Sequence, residues 1–314
     1  MIIENEKDVT KAVLAAYART ENPRLREILA ALIRHLHDFA REVKLTEQEF
    51  HAAMAYLVAI GQRSNATHNE AVLMAGSLGL SPLICLLNNG DNGATETDAN
   101  MLGPFWRMHS PATANGGSIV RSPTPGPVLF VDVVFRDTAG KPIEGAEVDI
   151  WQSSPEGFYE NQDPIQADMN LRGKFLTDKD GRISFRTVKP AGYPIPIDGP
   201  VGELLRAAGR HNMRPSHLHF LVYKPGFKTL ISQIYDPEDP NIETDVQFGV
   251  TRHLIGHYVR HDGTERAPAD DVGAPWYSLA HTFVMERGTA TLPKPPITGK
   301  AAGERPQIPH LEAV

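Results

Sequence analysis

The sequence predicts an α+β fold, in which N-terminal helices precede an antiparallel β-sandwich, and three features of its texture carry that prediction. From about residue 6 to 90 apolar side chains recur at helical spacing; after Asn88 short β-branched and aromatic runs alternate with glycine and proline turns; from about Thr289 the chain becomes too rich in proline and polar residues for either pattern. These shifts divide it into a helical domain over 1–100, whose apolar stripes suit dimerisation, a β-sandwich domain over 101–290 that holds the candidate chemistry, and an extended arm over 291–314.

The first stripe is Leu25, Ile28, Leu29, Leu32, Ile33, Leu36, Phe39 and Val43, after an Asn22-Pro23 start signal. A second helix is expected to start at Thr46, where Thr46 and Glu49 stand at capping-box spacing and Phe50, Ala53, Met54, Leu57 and Ile60 share a face. Ala71 to Leu87 carries no charge, but Gly76, Ser77, Gly79, Ser81 and Pro82 interrupt it and it is short for a bilayer span, so it reads as buried helix. In the second half Val128–Phe135, Glu147–Trp151, Ile183–Val188 and His217–Tyr223 have strand length. Thr138-Ala139-Gly140 marks a turn, and Asp178-Lys179-Asp180-Gly181 reads as a hairpin turn, because a calcium loop would need glutamate where Lys189 stands.

Of the 314 residues 41% are hydrophobic and 22% charged, enough for a sizeable core, and the net charge of −7 with no dense basic tract argues against a nucleic-acid partner. The lone Cys85 cannot form an internal disulfide, and the charged start of the chain lacks the apolar core of a signal peptide, so a cytoplasmic protein is expected.

Chemistry concentrates at His217 and His219 in Arg214-Pro215-Ser216-His217-Leu218-His219-Phe220. On a strand, residues two apart share a face, so both imidazoles can chelate one metal while Leu218 points away. An isolated pair of this kind is more often a surface or hydrogen-bonded coincidence. His35 and His37, two apart on a predicted helix, diverge and read as exposed helix histidines. No cysteine cluster or His-Glu-x-x-His motif accompanies the pair, which leaves a zinc site short of ligands. Tyr159 and Tyr193, each in a loop after a strand, are further oxygen donors, or else packed aromatics with a bonded hydroxyl.

Leu102-Gly103-Pro104-Phe105, Trp151 to Tyr159, Tyr193-Pro194-Ile195-Pro196-Ile197-Asp198-Gly199-Pro200-Val201-Gly202, Arg214 to His219 and the stretch near Phe248 together resemble the intradiol ring-cleavage dioxygenases, the family of catechol and hydroxyquinol 1,2-dioxygenases. The 193–202 and 246–250 stretches look closer to the hydroxyquinol branch. The resemblance implies that Tyr159, Tyr193, His217 and His219 bind one Fe(III), with Tyr193 and His219 axial, two hard phenolates favouring ferric over ferrous iron. It implies an aromatic diol opened by dioxygen between its hydroxylated carbons to a cis,cis-muconate-type diacid, with Tyr193 accepting a substrate proton. Arg214 matches a position that stabilises negative charge on the ring, a structural ion pair being its other reading. Gln233 matches a glutamine that bonds near the iron, although a strand glutamine facing solvent reads nearly as well.

By the same resemblance the pocket comprises Leu73, Gly76, Met101, Leu102, Gly103, Pro104, Phe105 and Phe248. At Gly76 the hydroxyquinol-like pattern prefers aspartate, and the glycine is read as offering only space, which would admit a bulkier ring. The helices are implied to form a homodimer around bound phospholipid. Of two other classes, a β-sandwich binding module would lack at least one ligand and none is missing here, whereas a zinc hydrolase on the His-x-His pair stays open and would be colourless.

Overall fold

A computed structural model describes residues 2–65, 68–89, 97–263 and 265–313, in two units, Met1–Ala59 and Ile60–Val314. In the first, α1 (Glu6–Tyr17) and α2 (Pro23–Glu42) start on asparagine caps, the side chain of Asn22 accepting from the Leu25 N–H. α3 (Glu47–Arg63) opens on the expected capping box: Glu49 accepts from both the N–H and the hydroxyl of Thr46, and Thr46 Oγ1 accepts in return from the Glu49 N–H. The α2 stripe stays open, Leu25, Ile28, Leu32, Leu36, Phe39 and Val43 all being exposed. His35 is exposed as expected, whereas His37 is half-buried and bonds Thr10 Oγ1 at 2.8 Å.

The apolar run after Glu70 departs from expectation. It forms two helices, α4 (Glu70–Ser77) and α5 (Leu80–Asn89), bent by 80° at a break where Gly79 adopts φ +72. Gly79 can take the left-handed conformation just past the end of α4 because a glycine has no Cβ to strain there. α4 buries Leu73, Gly76 and Ser77, but α5 exposes Leu80, Leu83, Ile84 and Leu87, so the run is not one buried helix. No single helix among the described residues is long and apolar enough to cross a membrane.

The sandwich follows from strict alternation. β1 (Val128–Asp137) turns Leu129, Val131, Val133 and Phe135 inward. It sits in the sheet β4 (Arg182–Val188), β1, β10 (Trp276–Met285), β9 (His257–His261); the facing sheet is β3 (Arg172–Leu176), β2 (Glu147–Gln152), β7 (His217–Tyr223), β8 (Leu230–Tyr235). Pairing is antiparallel except at the centre of the first sheet, where β1 and β10 run parallel. Phe135, Phe220 and Phe283 meet between the layers with ring centroids about 5 Å apart. The 178–181 turn is as tight as expected, with Asp178 Oδ1 accepting from the N–H groups of Asp180 and Arg182, but it joins β3 of one sheet to β4 of the other and is no hairpin.

β7 positions the site. Leu218, Phe220 and Val222 face the inter-sheet core, which leaves His217, His219 and Leu221 on the outer face of the second sheet. A second apolar cluster, with Leu73, Phe105, Trp106, Trp151, Val201 and Val246, covers that face. Beside it a two-residue strand, β5 (Tyr193–Pro194), pairs with β6 (Met213–Arg214), and α6 (Pro200–Ala207) follows β5 in sequence.

Candidate active site

The ladder on either side of β7 fixes what stands next to each imidazole. Trp151 of β2 and Gln233 of β8 lie opposite His219, and Tyr235 lies opposite His217. The Trp151 ring stacks on His219 at 4.5 Å and 8°, which holds that imidazole's plane. His217 Nδ1 lies 2.6 Å from the Pro215 carbonyl; it must carry the proton that makes this hydrogen bond, so Nε2 keeps a free lone pair. The two Nε2 atoms are 3.1 Å apart. Burial, then the Arg214 charge, lowers the His217 pKa to about 3, and burial, then the repulsion a protonated His217 would add and the Arg214 charge, holds His219 well below the usual range, which favours the neutral form of both rings.

The phenols arrive from outside the sheet. Tyr159, in the irregular chain after β2, places Oη 2.9 Å from His219 Nε2 and 3.3 Å from His217 Nε2. Tyr193, on β5 and not in a loop, meets Tyr159 edge-on at 5.2 Å and lies 5.6 Å from the His217 ring. All four side chains are buried. The four residues singled out in the sequence are thus brought to one point. Burial, reinforced by the Tyr193 hydroxyl, pushes the Tyr159 phenol well above its ordinary pKa. A cation among these donors would reverse that, since it favours the phenolate and turns the crowding of lone pairs into coordination.

Arg214 enters from β6. Its Nε and Nη2 grip Asp245 at 3.1 and 3.0 Å, Nη2 also reaches Tyr235 Oη at 2.9 Å and Gln233 Oε1 at 3.3 Å, and Nη1 is left 3.4 Å from His217 Nε2. Burial would lower this guanidinium's pKa, but the Asp245 carboxylate outweighs it and keeps the charge. Arg214 therefore makes an ion pair and still offers one nitrogen to the site. Gln233 is fully buried, not solvent-facing; it accepts from Tyr235 and donates to the Met101 carbonyl.

The expected pocket residues scatter more. Leu73, Phe105 and the half-buried Leu102 pack in the cluster with both tyrosines, the Phe105 ring 4.5 Å from Tyr159. Gly103 has φ +72, and a side chain there would come within 3.3 Å of His219 Cε1. Met101 lies against Gly249, where a Cβ would also strike Tyr235 Oη and Arg214 Nη2. Pro104 is half-buried; Phe248 is half exposed at φ +54, beneath the Arg210 guanidinium at 4.4 Å. The reading of Gly76 as empty space is overturned. Gln247 fills that space: a Cβ on Gly76 would fall 1.7 Å from Gln247 Oε1, and Gln247 Nε2 donates to Ser77 Oγ at 2.8 Å.

Sequence reasoning missed Asp245, Tyr235 and Gln247. Tyr235 stands two residues after Gln233 on one strand face, a signal that was readable. Gln247 lies within the 246–250 stretch that carried the resemblance but was not itself singled out, and Asp245, in irregular chain, had no signal. It also missed Glu160, which accepts from buried Arg172 at 2.6 Å and from Arg107 at 2.8 Å immediately after Tyr159.

A two-layer sandwich thus gathers two phenols, two neutral imidazoles and a guanidinium on one outer sheet face, a donor set that could hold a single hard cation. The comparisons give the family. Residues 102–281 match the family model Dioxygenase, and residues 22–95 match Catechol dioxygenase N terminus. The chain is 41% identical over 285 residues to the hydroxyquinol 1,2-dioxygenase of Rhizobium sp. strain MTP-10005, covering 90% of this chain and 96% of that one. It is 40% identical over 278 residues to the catechol 1,2-dioxygenase of Candida albicans, covering 88% and 91%. The solved structure of hydroxyquinol 1,2-dioxygenase from Pseudomonas putida DLL-E4 superposes with a TM-score of 0.82 at 35% identity, over 90% of this chain and 99% of that one. The chain belongs to the intradiol ring-cleavage dioxygenases, enzymes that open aromatic diols and are generally iron-dependent.

Proposed function

We propose that this chain holds one Fe(III) on Tyr159, Tyr193, His217 and His219 and cleaves a hydroxyquinol-type ring between its hydroxylated carbons with dioxygen, catechol and its substituted forms being the second choice. The observation that carries the reading is the convergence of four buried donors, two of them neutral nitrogens whose Nε2 atoms lie 3.1 Å apart. Two hard oxygens with two imidazoles suit ferric iron and leave room for a bidentate diol. When bound, the metal would supply the Lewis acidity that favours loss of a diol proton and readies the ring for dioxygen.

The protein's own part is positional. Tyr159, pressed between Phe105 and Tyr193, is the phenol that stays. Tyr193 Oη, on a strand of two residues, accepts a proton from the incoming diol. Trp151 keeps the His219 plane fixed. Arg214 Nη1 bonds the oxygen on which charge collects, while Asp245 and Tyr235 hold the guanidinium rigid so that no reorganisation is needed at that moment. The apolar cover of Leu73, Leu102 and Phe105 excludes water.

Preference for hydroxyquinol is supported by the relatives of that name at 41% and 35% identity. The exposed stripe from Leu25 to Val43 supports a homodimer through the helices, with phospholipid held among them, and the free Cys85 suits a reducing cytoplasm. The test is anaerobic titration of iron-loaded protein with hydroxyquinol and catechol while the tyrosinate band is followed, then admission of air and identification of the acid. A colourless iron-loaded protein, or an extradiol product, would refute the reading.

A further inference from the structure

We propose that the arm from Ile297 to Leu311 is a positioning strap for the two phenols, and that Asn212 is the clasp that fastens it; the functional part of this proposal rests on Tyr159 and Tyr193 being iron ligands. The need for a strap follows from the topology. The histidines ride on β7, which is laddered on both edges by β2 and β8. The phenols have no such support: Tyr159 lies in irregular chain, and Tyr193 on a strand whose ladder to β6 is two residues long.

The arm crosses both phenol-bearing segments in turn. Ile297 is buried. Next, Lys300 Nζ donates to the Gln166 carbonyl and the Ala301 N–H to the Asn161 carbonyl at 2.7 Å. Arg305 donates to Asp163 Oδ2 at 2.5 Å, its guanidinium 5.1 Å from the centre of the Phe158 ring. All of these partners fall between Phe158 and Gln166, the loop that Tyr159 belongs to. Asp163 is fully buried, and the Arg305 charge and neighbouring donors hold its carboxyl below the usual range against the opposing pull of burial.

Asn212 then takes over beside Tyr193. Its side chain is fully buried, and Nδ2 donates both to the Ile195 carbonyl and to the Pro309 carbonyl at 3.0 Å, while Oδ1 accepts from the Leu311 N–H at 2.9 Å. Its own carbonyl accepts from the Ile195 N–H at 2.8 Å. One carboxamide thus joins three pieces of main chain: the arm, the residue two after Tyr193, and the strand that carries Arg214. Leu311 packs its side chain onto the cluster that contains Tyr159, Tyr193 and Phe105. A buried amide whose donors and acceptor are all committed to main chain specifies one geometry, because any displacement leaves a buried polar group unmade.

The test uses the full chain. Leu311→Pro removes the N–H given to Asn212 without touching the Asn212–Ile195 bonds, Asn212→Ala removes all three side-chain bonds, and Arg305→Ala frees the Tyr159 loop. Amide exchange is measured on iron-free protein and the visible band on iron-loaded protein. With the strap broken at Asn212, exchange near Ile195 is expected to quicken by about tenfold, the scale of one lost buried hydrogen bond, with β7 and β8 unchanged. Arg305→Ala should act in the same way on the 158–166 loop. In each case the tyrosinate band should shift and kcat fall more than KM rises. Unchanged exchange and an unchanged band in folded Leu311→Pro and Arg305→Ala would overturn the proposal, as would exchange that quickens equally in β7. If wild-type protein shows no band with iron, the ligand assignment fails, while exchange alone still decides whether the arm restrains the two segments; should Asn212→Ala not fold, Leu311→Pro decides.

Discussion

Replacing Arg214 by lysine separates the two roles its geometry allows. The guanidinium spends Nε and Nη2 on Asp245, Tyr235 and Gln233 and has Nη1 left for the site. A lysine ammonium on a flexible stem can keep the charge pair with Asp245 or reach toward the His217 side, but it cannot do both. Stability should fall by only about 2 kcal/mol, since Asp245 keeps a counter-charge and what is lost is one charge-assisted hydrogen bond with its weaker neighbours. Turnover should fall far more, by roughly 10²–10³ in kcat, the usual effect of removing one preorganised donor from developing charge. The control is Arg214→Met, which leaves Asp245 buried without a cation and should cost about 3–5 kcal/mol of stability. Oxygen uptake with hydroxyquinol gives kcat and KM, thermal melts give stability, and the visible band checks that iron remains bound. If Arg214→Lys keeps kcat within about threefold while its melting point drops, Arg214 is an ion-pair residue only and its role at the ring is refuted.

Three further outcomes follow from the same contacts. Gln247→Ala, which empties the space against Gly76, should raise kcat/KM for bulky alkyl- or chlorocatechols relative to hydroxyquinol by about tenfold; an unaltered ratio would put that contact outside the pocket. Burial pushes the Asp245 carboxyl up, but Arg214 and the N–H groups of Gln247 and Gly249 outweigh it and hold the pKa below the usual range. A depressed native pKa stabilises above the unfolded value near 4 and stops doing so as pH falls through the native value. Melting temperature should therefore drop below about pH 4 in the wild type and less steeply in Asp245→Asn, and parallel acid limbs would count against it. Leu32→Arg with Leu36→Arg, both on the open α2 face, should weaken self-association by a factor of about 100 or more by light scattering, each leucine being worth roughly 1.5–3 kcal/mol when buried; an unchanged mass would move the interface elsewhere.

Where a structural feature is set by neighbours in sequence, it was legible. The capping box at Thr46, the asparagine cap at Asn22 and the inward alternation of β1 are all local. The failures are non-local. A turn signal at 178–181 announces a reversal but not which sheet receives the next strand, and nothing in β1 announces a parallel partner almost 150 residues away. The run from Ala71 to Leu87 misled for a different reason: an uncharged sequence was read as burial within this chain. The open faces of α5 and α2 show that an apolar run can stay exposed on this chain.

The same division runs through the site. His217 and His219 were readable because period two on a strand dictates a shared face, and their ladder neighbours Trp151, Gln233 and Tyr235 needed only the register. Tyr159 and Tyr193 could be singled out by resemblance, but their positions depend on contacts from distant chain: Phe105, the 160–172 ion pairs and the arm at Leu311. Gly76 shows the limit most clearly. A glycine in a sequence states that a side chain is missing; whether the result is a cavity depends on what else fills the volume, and here Gln247, 171 residues on, fills it. A dense interior leaves no space unclaimed at such a position, so a small residue facing a predicted pocket is evidence about a neighbour before it is evidence about the substrate. Selectivity in this chain should accordingly be sought in the 245–249 segment, which grips Arg214 through Asp245, crowds Tyr235 and Met101 at Gly249, and covers α4 with Gln247.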